Sequence, residues 1–503
     1  MKIINKLKKI GEELTSLAHI IELLHWDQET KIPKNGAIER ANQIAYLSEL
    51  YHKKSTSDEI KKLFNEINFI DEDLIDNEKY SVVDRAFLKR FYREVNRERK
   101  LPTNLVVQLA KETSLAQAVW HEARVKKDFN IFAPSLKKIV DILKEKADKI
   151  GFKTHPYDAL LDEYEPFMNS ENVKNIFKPL QMGLTEILKK IRTSNSIDTQ
   201  FLSQNFSVKK QDEFGRTVLK DMGYFNDSGR LDISAHPFTV TLGANDVRIT
   251  TRYDEASLFS GLFSDIHEGG HALYELGFSK NIQGNILATA TSLGIHESQS
   301  RMWENQIGRS YKFWEFYYPK LKKLFKNELK DVDLYDFYRA VNNVSSSLIR
   351  VEADEVTYNL HIILRFEIEM LLINGDIEVK DLPEIWNDKT EQYLGIIPVN
   401  DSEGVLQDVH WASGLIGYFP TYALGNIYAA QFYNKIKNEI NDIEKEISKG
   451  KFNEILRWLR NNIHSFGSMY SAEELCKKVT GETLNSKYFL NYIDDKYKKI
   501  YKY

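Results

Sequence analysis

Cysteine is nearly absent from this sequence, because Cys476 is the only one among 503 residues. A single thiol can form no internal disulfide, and it excludes metal sites that are built mainly from cysteine. If the protein binds a metal ion, the ligands must therefore come from histidine and carboxylate side chains.

Long apolar runs and an excess of one sign of charge are missing as well. No stretch approaches the ~20 apolar residues that span a membrane, and residues 1–27 lack the apolar core of a secretory signal. Lys and Arg (69) nearly balance Asp and Glu (73), which leaves a formal net charge of -4. This balance argues against a nucleic-acid-binding protein that relies on a basic field. We therefore expect a cytoplasmic protein with no nucleic-acid or membrane partner.

Proline is scarce too, with 11 residues in the chain, and this favours long helices with few interruptions. Most of the sequence repeats its apolar residues at helical spacing, as Leu7, Ile10 and Leu14 do near the N-terminus. The sequence contains no internal repeat, no low-complexity segment and no break in composition. The pattern predicts a single large, mainly α-helical domain over residues 1–503.

One segment, residues 236–255, departs from the helical spacing. Apolar and polar residues alternate from Phe238 to Leu242 and again from Val247 to Thr251, on either side of a Gly-Ala-Asn-Asp turn. This alternation predicts a β-hairpin that leads directly into a helix. Asp254 or Ser257 would cap that helix.

The helix after the hairpin contains the stretch DIHEGGHALYE, residues 265–275. Helical rise places His267 and His271 about 6 Å apart on the same face, so two imidazole nitrogens can bind one ion. Glu268 is rotated by roughly 100° from His267, so it can face the water on such an ion. The alternative is that both histidines are ordinary packed side chains.

Two glycines inside the same helix also need an explanation. Gly269 and Gly270 each cost a helix about 1 kcal/mol relative to alanine. We expect the close approach of another backbone or of a substrate to offset that cost.

A hydrolytic metal site of this kind needs a third protein ligand and one open position. Glu275 faces the right way but lies a further ~6 Å along the helix axis, so we expect the third ligand from another segment. Residues 291–308 predict a second helix with three candidate ligands: His296, Glu297 and Glu304. The last two share a face, but spacing alone does not choose between His296 and Glu297. The alternative is a surface helix with an ion pair between Arg301 and Glu297.

Taken together, these motifs resemble those of the metallocarboxypeptidases related to carboxypeptidase Taq, peptidase family M32. The similarity spans the chain: HPF at 236–238, DVRIT at 246–250, HEGGH at 267–271, HESQSRMWEN at 296–305, IRVEADE at 349–355 and GVLQDVHW at 404–411. Two small departures, Ile32 and Met302, stand where the family would have Met and Leu, and neither affects the chemistry.

The resemblance implies a metal-dependent carboxypeptidase that removes single residues from peptide C-termini. Broad specificity, with poor acceptance of C-terminal proline, is usual in the family. The implied ligands are His267, His271 and Glu297, and the implied general base is Glu268. One divalent ion per chain is implied, most often Zn²⁺ with Co²⁺ as the alternative, and homodimers are usual.

The resemblance also implies a fold. It is a mainly α, zincin (gluzincin-like) domain with a deep active-site cleft and a small β-sheet beside the HExxH helix. The catalytic motifs would lie within residues 230–425, and N-terminal helices from residues 1–130 would cover the cleft.

Further residues in the matched motifs are candidates for contact with the substrate. Charge that develops on the scissile carbonyl oxygen needs a donor besides the metal, and His410 and Tyr422 are the candidates, although either could be structural. We expect Asp408 beside the substrate, where it orients a neighbouring side chain. His236 and Thr250 would shape the substrate groove, or else fix the hairpin.

An exopeptidase must also bind the terminal carboxylate of its substrate, and an arginine fork suits that group. Arg350 is the first choice, because it lies in a matched motif. Its alternative role is an ion pair with Glu352 or Asp354. Arg248 and Arg252, in or beside the predicted hairpin, are rival anchors.

Two other functions remain open from the sequence. A helical zinc endopeptidase or oligopeptidase would use the same catalytic residues without recognising a terminal carboxylate. A helical binding protein with a structural metal would have no catalytic activity at all.

Overall fold

The computed structural model describes residues 2–67, 69, 80–225 and 227–503, and α-helices make up most of this part of the chain. In chain order the α-helices are α1 (Lys2–Thr30), α2 (Ala37–Ser55), α3 (Asp58–Glu66), α4 (Val82–Arg99), α5 (Thr103–Lys126), α6 (Ala133–Ile150), α7 (Pro156–Leu161), α8 (Ser170–Arg192), α9 (Val208–Met222), α10 (Leu258–Glu275), α11 (Leu293–Arg301), α12 (Tyr311–Leu324), α13 (Leu334–Val341), α14 (Tyr358–Asn374), α15 (Leu382–Leu394), α16 (Pro420–Glu439), α17 (Ile443–Ile447), α18 (Asn453–Asn462), α19 (Ala472–Thr480) and α20 (Lys487–Tyr501). The predicted mainly helical fold is confirmed. In the described ranges, no helix has an apolar stretch that could span a bilayer.

The chain between α9 and α10 forms a small sheet of three strands, β1 (Gly229–Ile233), β2 (Thr239–Gly243) and β3 (Asp246–Thr251). The predicted hairpin is confirmed as the antiparallel pair β2 and β3. Strand β1 pairs parallel with β3, so β3 is central and β2 is an edge strand.

Strand β1 was not predicted from the sequence. The strand has five residues, and its burial does not follow its hydrophobicity, since Asp232 is buried whereas Ile233 is 55% exposed. A short strand with this pattern gives no clear two-residue alternation to detect.

Helix α10 follows the sheet, as predicted, and begins at a serine cap. The Ser257 side chain accepts a hydrogen bond from the Ser260 backbone N–H, so Ser257 caps the helix and Asp254 does not. Asp254 instead accepts a hydrogen bond from the Ala256 N–H in the preceding turn. The cap fixes where α10 leaves the sheet and therefore which residues face its neighbours.

The two glycines of α10 allow other helices to approach closely, as expected. A Cβ atom on Gly270 would lie 2.8 Å from Ser300 Cα and 2.9 Å from the Gln299 carbonyl oxygen of α11. A Cβ atom on Gly269 would lie 2.5 Å from a methyl carbon of Leu219 on α9. Close packing on both sides offsets the helical cost of the glycines.

Helix α11 lies between α10 and α16, and a third glycine permits its contact with α16. A Cβ atom on Gly425 would lie 2.5 Å from Glu297 Cγ. The three helices therefore bring Glu297 of α11 next to the histidines of α10.

Helix α1 extends from the N-terminal part of the fold to the sheet. Its predicted apolar face is buried at Leu7 and Leu14. Near its C-terminal end, the Trp26 ring centre lies 4.4 Å from the guanidinium carbon of Arg248 and 5.0 Å from that of Arg230. Whether the N-terminal helices cover a cleft stays a prediction.

Candidate metal centre

Three side-chain atoms from α10 and α11 converge on one point. His267 Nε2 and His271 Nε2 each lie 3.4 Å from Glu297 Oε2, and one ligand atom from each residue lies within 4.8 Å of the others. A tetrahedral ion with bonds of about 2.0–2.1 Å separates its ligand atoms by about 3.3 Å. The three residues could therefore hold one divalent ion, and among the described residues no fourth histidine, cysteine or carboxylate joins the group.

The rival ligand His296 lies beside this cluster and does not join it. Its ring stacks on the His271 ring with centroids 4.1 Å apart, and its Nε2 lies 3.1 Å from Glu275 Oε1. Thr241 Oγ1 donates a hydrogen bond to Glu275 Oε2. His296 thus lies against one face of the His271 ring.

The third candidate, Glu304, contacts a ligand histidine from the opposite side. His267 Nδ1 lies 2.8 Å from Glu304 Oε2, a contact that leaves Nε2 of the same ring for a metal ion. Glu304 belongs to a π-helical turn, Met302–Ile307, that continues α11. Wide turns of this kind are frequent at functional sites.

Arg301 joins the two carboxylates of the cluster. Its Nε donates to Glu297 Oε1 at 2.6 Å and its Nη1 donates to Glu304 Oε2 at 3.1 Å. Glu297 and Glu304 are only 6% and 8% exposed. The alternative of a surface helix is therefore wrong, although its ion pair between Arg301 and Glu297 is present.

The two histidines have opposite pKa shifts. Burial lowers the pKa of His271 to about 3, so this ring is neutral near pH 7. Burial also disfavours charge on His267, but the carboxylates of Glu297 and Glu304 outweigh it and raise its pKa to about 10. The negative charge that raises the pKa of His267 comes from two carboxylate oxygens, at 3.4 Å and 2.8 Å from its ring nitrogens.

The Glu297 carboxylate stays charged despite its burial. Burial alone would raise its pKa, but Arg301 and His267 hold the pKa well below its usual range. The cluster therefore keeps an ionised oxygen ligand at neutral pH.

Glu268 follows His267 in the sequence and is itself buried. Its Oε2 accepts a hydrogen bond of 2.6 Å from Thr239 Oγ1 on the edge strand β2. Burial raises the pKa of its carboxyl group.

A second charged cluster surrounds Arg350. The Nε and Nη2 of Arg350 donate to Asp408 Oδ1 at 3.0 and 2.7 Å, and its Nη1 donates to the Tyr358 hydroxyl at 3.1 Å. Arg365 Nε donates to the other oxygen, Asp408 Oδ2, at 2.8 Å. Asp408 thus fixes two buried arginines. The partners suggested for Arg350 by the sequence, Glu352 and Asp354, are wrong.

His410 and Tyr422 come together beside this second cluster, with 3.2 Å between His410 Nε2 and the Tyr422 hydroxyl. Burial lowers the pKa of His410 to about 4, so its ring is neutral at neutral pH. The Tyr418 ring lies 5.3 Å from the Tyr422 ring. Burial, and then the charge of Glu297, raise the pKa of Tyr418 to about 12, so this phenol keeps its proton. The sequence analysis missed Tyr418, although it stands four residues before Tyr422 in the same GYFPTY stretch.

The hairpin residues have structural contacts of their own. Arg248 forms two hydrogen bonds of 2.8 Å with Asp246 and lies over Trp26. Thr250 is fully buried, and its Oγ1 accepts a hydrogen bond from the Phe238 N–H.

His236 and Arg252 are both exposed. Arg248 and Thr250 are thus bonded to other residues of the hairpin, whereas His236 and Arg252 face solvent. The roles of these four residues in substrate binding stay predictions.

Comparison with known proteins gives matches over nearly the whole chain. The profile described as carboxypeptidase Taq (M32) metallopeptidase matches residues 6–497. Thermostable carboxypeptidase 1 of Thermus thermophilus is 43% identical, and carboxypeptidase 1 of Bacillus subtilis is 40% identical, with 98% of each chain covered in both comparisons. The crystal structure of M32 carboxypeptidase from Deinococcus radiodurans R1 superposes with a TM-score of 0.96 at 34% identity, covering 100% of both chains.

Proposed function

Because this chain belongs to the carboxypeptidase Taq (M32) metallopeptidase family and is therefore a peptide-hydrolysing metallocarboxypeptidase, we propose that it removes single residues from peptide C-termini with Glu268 as the general base. The observation that carries this assignment is the position of Glu268 beside three converging ligand atoms. Any peptide with a free carboxyl end is a candidate substrate.

His267, His271 and Glu297 are the proposed metal ligands. Glu297 Oε2 lies 3.4 Å from each imidazole nitrogen, close to the separation in a tetrahedral site, and two imidazoles with one carboxylate are a donor set that Zn²⁺ favours. Co²⁺ binds similar ligands and is the alternative. Glu304 and the stacked His296 hold the two imidazole rings in place.

In the proposed mechanism, the chain's residues orient the reactants and move one proton. When bound, the metal ion makes the attacking water more acidic and draws electron density from the scissile carbonyl. Glu268 takes a proton from that water through its carboxylate and then delivers it to the leaving amine. The buried surroundings of Glu268 raise its pKa and so favour the proton-accepting step.

Neutral donors near the cluster would stabilise the negative charge that develops on the carbonyl oxygen. Tyr422 and Tyr418 both keep their phenolic protons, because burial holds the pKa of each above its usual value. His410 is within hydrogen-bond distance of the Tyr422 hydroxyl and orients it. We assign the donor role to Tyr422, with His410 beside it.

Arg350 is the proposed anchor for the terminal carboxylate. A guanidinium has five N–H donors, and Asp408 and Tyr358 together take three of those on Arg350. One N–H remains on each terminal nitrogen, and this is the pair that a carboxylate can bind as a fork. Asp408 then acts by fixing the guanidinium, which lies 5.0 Å from the centre of the Tyr422 ring.

The main experiment compares wild-type protein with Glu268→Gln on one defined peptide. We expect kcat to fall by about 10²–10⁴-fold while the metal stays bound, because only the proton-accepting group is lost. Full activity in the variant would refute the role of Glu268. Wild-type activity without any bound metal would refute the metal mechanism.

A second experiment separates a carboxypeptidase from an oligopeptidase by comparing a peptide with its C-terminally amidated twin. We expect cleavage of the free acid only, and Arg350→Lys to lower kcat/KM on it by at least about 30-fold, because lysine keeps the charge but loses the fork. Equal cleavage of both peptides would favour the oligopeptidase, and an unaffected Arg350→Lys enzyme would remove Arg350 as the anchor.

The family resemblance also supports finer proposals. Specificity is proposed to be broad, with C-terminal proline a poor leaving residue because its peptide nitrogen carries no N–H. A homodimer is proposed, and sedimentation should then give about twice the 58.6 kDa of one chain.

A further inference from the structure

Thr239 is the residue on the edge strand that contacts the proposed general base. Its Oγ1 lies 2.6 Å from Glu268 Oε2 and 3.1 Å from the Glu268 backbone oxygen. Threonine at this position follows the HPF motif directly in the sequence. The hydroxyl therefore bridges strand β2 and helix α10 at the reactive carboxylate.

The contact is the only hydrogen bond that the Glu268 carboxylate receives within the described ranges of the chain. The Thr239 hydroxyl donates to Oε2, and within the described residues no side chain or backbone group donates a hydrogen bond to Oε1. A glutamate side chain has three rotatable bonds and many rotamers when nothing holds it. The hydroxyl of Thr239 selects one of them.

The ligand residues are held by different groups. His267 is fixed by Glu304, His271 is stacked on His296, and Glu297 is held by Arg301. Loss of the Thr239 hydroxyl therefore leaves every contact of the metal ligands in place.

We propose that Thr239 is a positioning residue that holds the Glu268 carboxylate by one oxygen and presents the other to the attacking water. This inference rests on the proposed role of Glu268 as general base. In the reaction, the proton goes from water to Oε1 and then to the leaving amine, while Thr239 Oγ1–H continues to donate to Oε2. The backbone oxygen of Glu268 is a second acceptor for the same hydroxyl proton, at 3.1 Å, and Oε2, at 2.6 Å, is the nearer of the two.

The same strand provides a matched control. Thr241 Oγ1 donates to Glu275 Oε2 at 3.1 Å, so it is also a strand hydroxyl bonded to a carboxylate of α10. Glu275 is seven residues beyond Glu268, about 10 Å along the helix axis, and is not placed to reach the attacking water. Thr241→Val therefore removes an equivalent bond without touching the base.

The test measures kcat and KM for Thr239→Val, Thr239→Ser and Thr241→Val in the full-length, metal-loaded protein. We expect Thr239→Val to lower kcat by about 10- to 100-fold with KM within about threefold, because proton transfer is impaired and binding is not. Thr239→Ser should recover kcat to within about threefold of wild type, and Thr241→Val should stay within about threefold. Metal content and thermal midpoint should be the same in Thr239→Val and Thr241→Val.

Measurements in the Glu268→Gln background separate the positioning role of Thr239 from the general-base role of Glu268. If Thr239 acts through Glu268, adding Thr239→Val to Glu268→Gln causes less than about a twofold further loss. A further loss of tenfold, equal losses in Thr239→Val and Thr241→Val, or loss of metal in Thr239→Val would overturn the proposal for Thr239. If Glu268→Gln alone keeps full activity, the proposed function of Glu268 fails instead.

Discussion

The protein contains two buried charged clusters that differ in how their polar atoms are used. In the ligand cluster, two imidazole nitrogens and one carboxylate oxygen converge without forming a close bond, at 3.4 Å. In the arginine cluster, Asp408 binds Arg350 and Arg365 directly at 2.6–2.7 Å. One cluster therefore holds donor atoms that can accept an added ion, whereas the other pairs a single carboxylate with two arginines and keeps an excess of positive charge.

The difference shows why buried charge alone does not identify a metal site. Both clusters carry perturbed pKa values, since the pKa of His267 is raised to about 10 and that of His410 is lowered to about 4. Burial is the largest cause of the lowered pKa of His410, and it also lowers the pKa of His271 to about 3 in the ligand cluster. Geometry distinguishes the clusters instead, because among the described residues the convergence of two imidazoles and a carboxylate on one point occurs in the ligand cluster.

The largest expected effect comes from breaking the ligand cluster. His271→Ala should abolish stoichiometric metal binding and lower activity by at least about 1,000-fold, the effect of losing about 4 kcal/mol of transition-state stabilisation. His296→Ala, which removes the stacked neighbour, should keep the metal. Metal analysis of both purified variants checks this, and equal metal contents would contradict the assigned ligand set.

Breaking the arginine cluster should lower the stability of the fold and leave metal binding unchanged. Asp408→Asn leaves two buried guanidinium groups without a carboxylate, so we expect the free energy of unfolding to fall by about 3–5 kcal/mol. Arg350→Met should cost less, because Asp408 keeps Arg365 as a partner. Denaturant unfolding of both variants measures the difference. If Asp408→Asn lost less stability than Arg350→Met, the contacts of Asp408 with the two arginines would not be a main source of stability.

Weakening the support of one ligand should have a graded effect on metal affinity. In Glu304→Gln, an uncharged amide replaces the carboxylate that contacts His267 Nδ1. We expect the dissociation constant of the metal to rise by about 10- to 100-fold, with activity restored at saturating metal. Competition with a chelator gives the constant, and an unchanged value would exclude a supporting role for Glu304.

The smallest expected effect is a pH dependence that belongs to the arginine cluster. Burial, with Arg365 and Arg350 nearby, lowers the pKa of His361 from 6.5 to about 3. The unfolded chain binds this proton more readily, so the contribution of His361 is complete above pH 6.5 and is lost as the pH falls towards 3. At pH 5 the loss is about 2 kcal/mol.

Denaturant unfolding of wild type and His361→Gln between pH 7 and pH 5 isolates the contribution of His361 to stability, because glutamine takes up no proton. The variant should lose less stability on acidification than the wild type does. Parallel pH profiles for the two proteins would assign the effect to other groups.

Predictions that depend on local geometry were confirmed by the structure. Four-residue spacing places His267 and His271 on one face of α10, and two-residue alternation gives β2 and β3. Strand β1 is as long as β2 but gave no comparable signal, because its burial does not follow its hydrophobicity. The hydroxyl contact of Thr239 gave none, because it joins residues 29 positions apart.

The sequence by itself determined the helical class, the pair of histidines and the dependence on histidine and carboxylate ligands. The family resemblance implied Glu297 as the third ligand, whereas spacing alone left His296 open. The tertiary structure brings Glu297 and not His296 to that pair, and it pairs Arg350 with Asp408. The physical reason is that backbone geometry fixes which residues share a face within one helix. Contacts between segments depend instead on how closely helices pack, and here Gly270 and Gly425 allow α11 to reach its place.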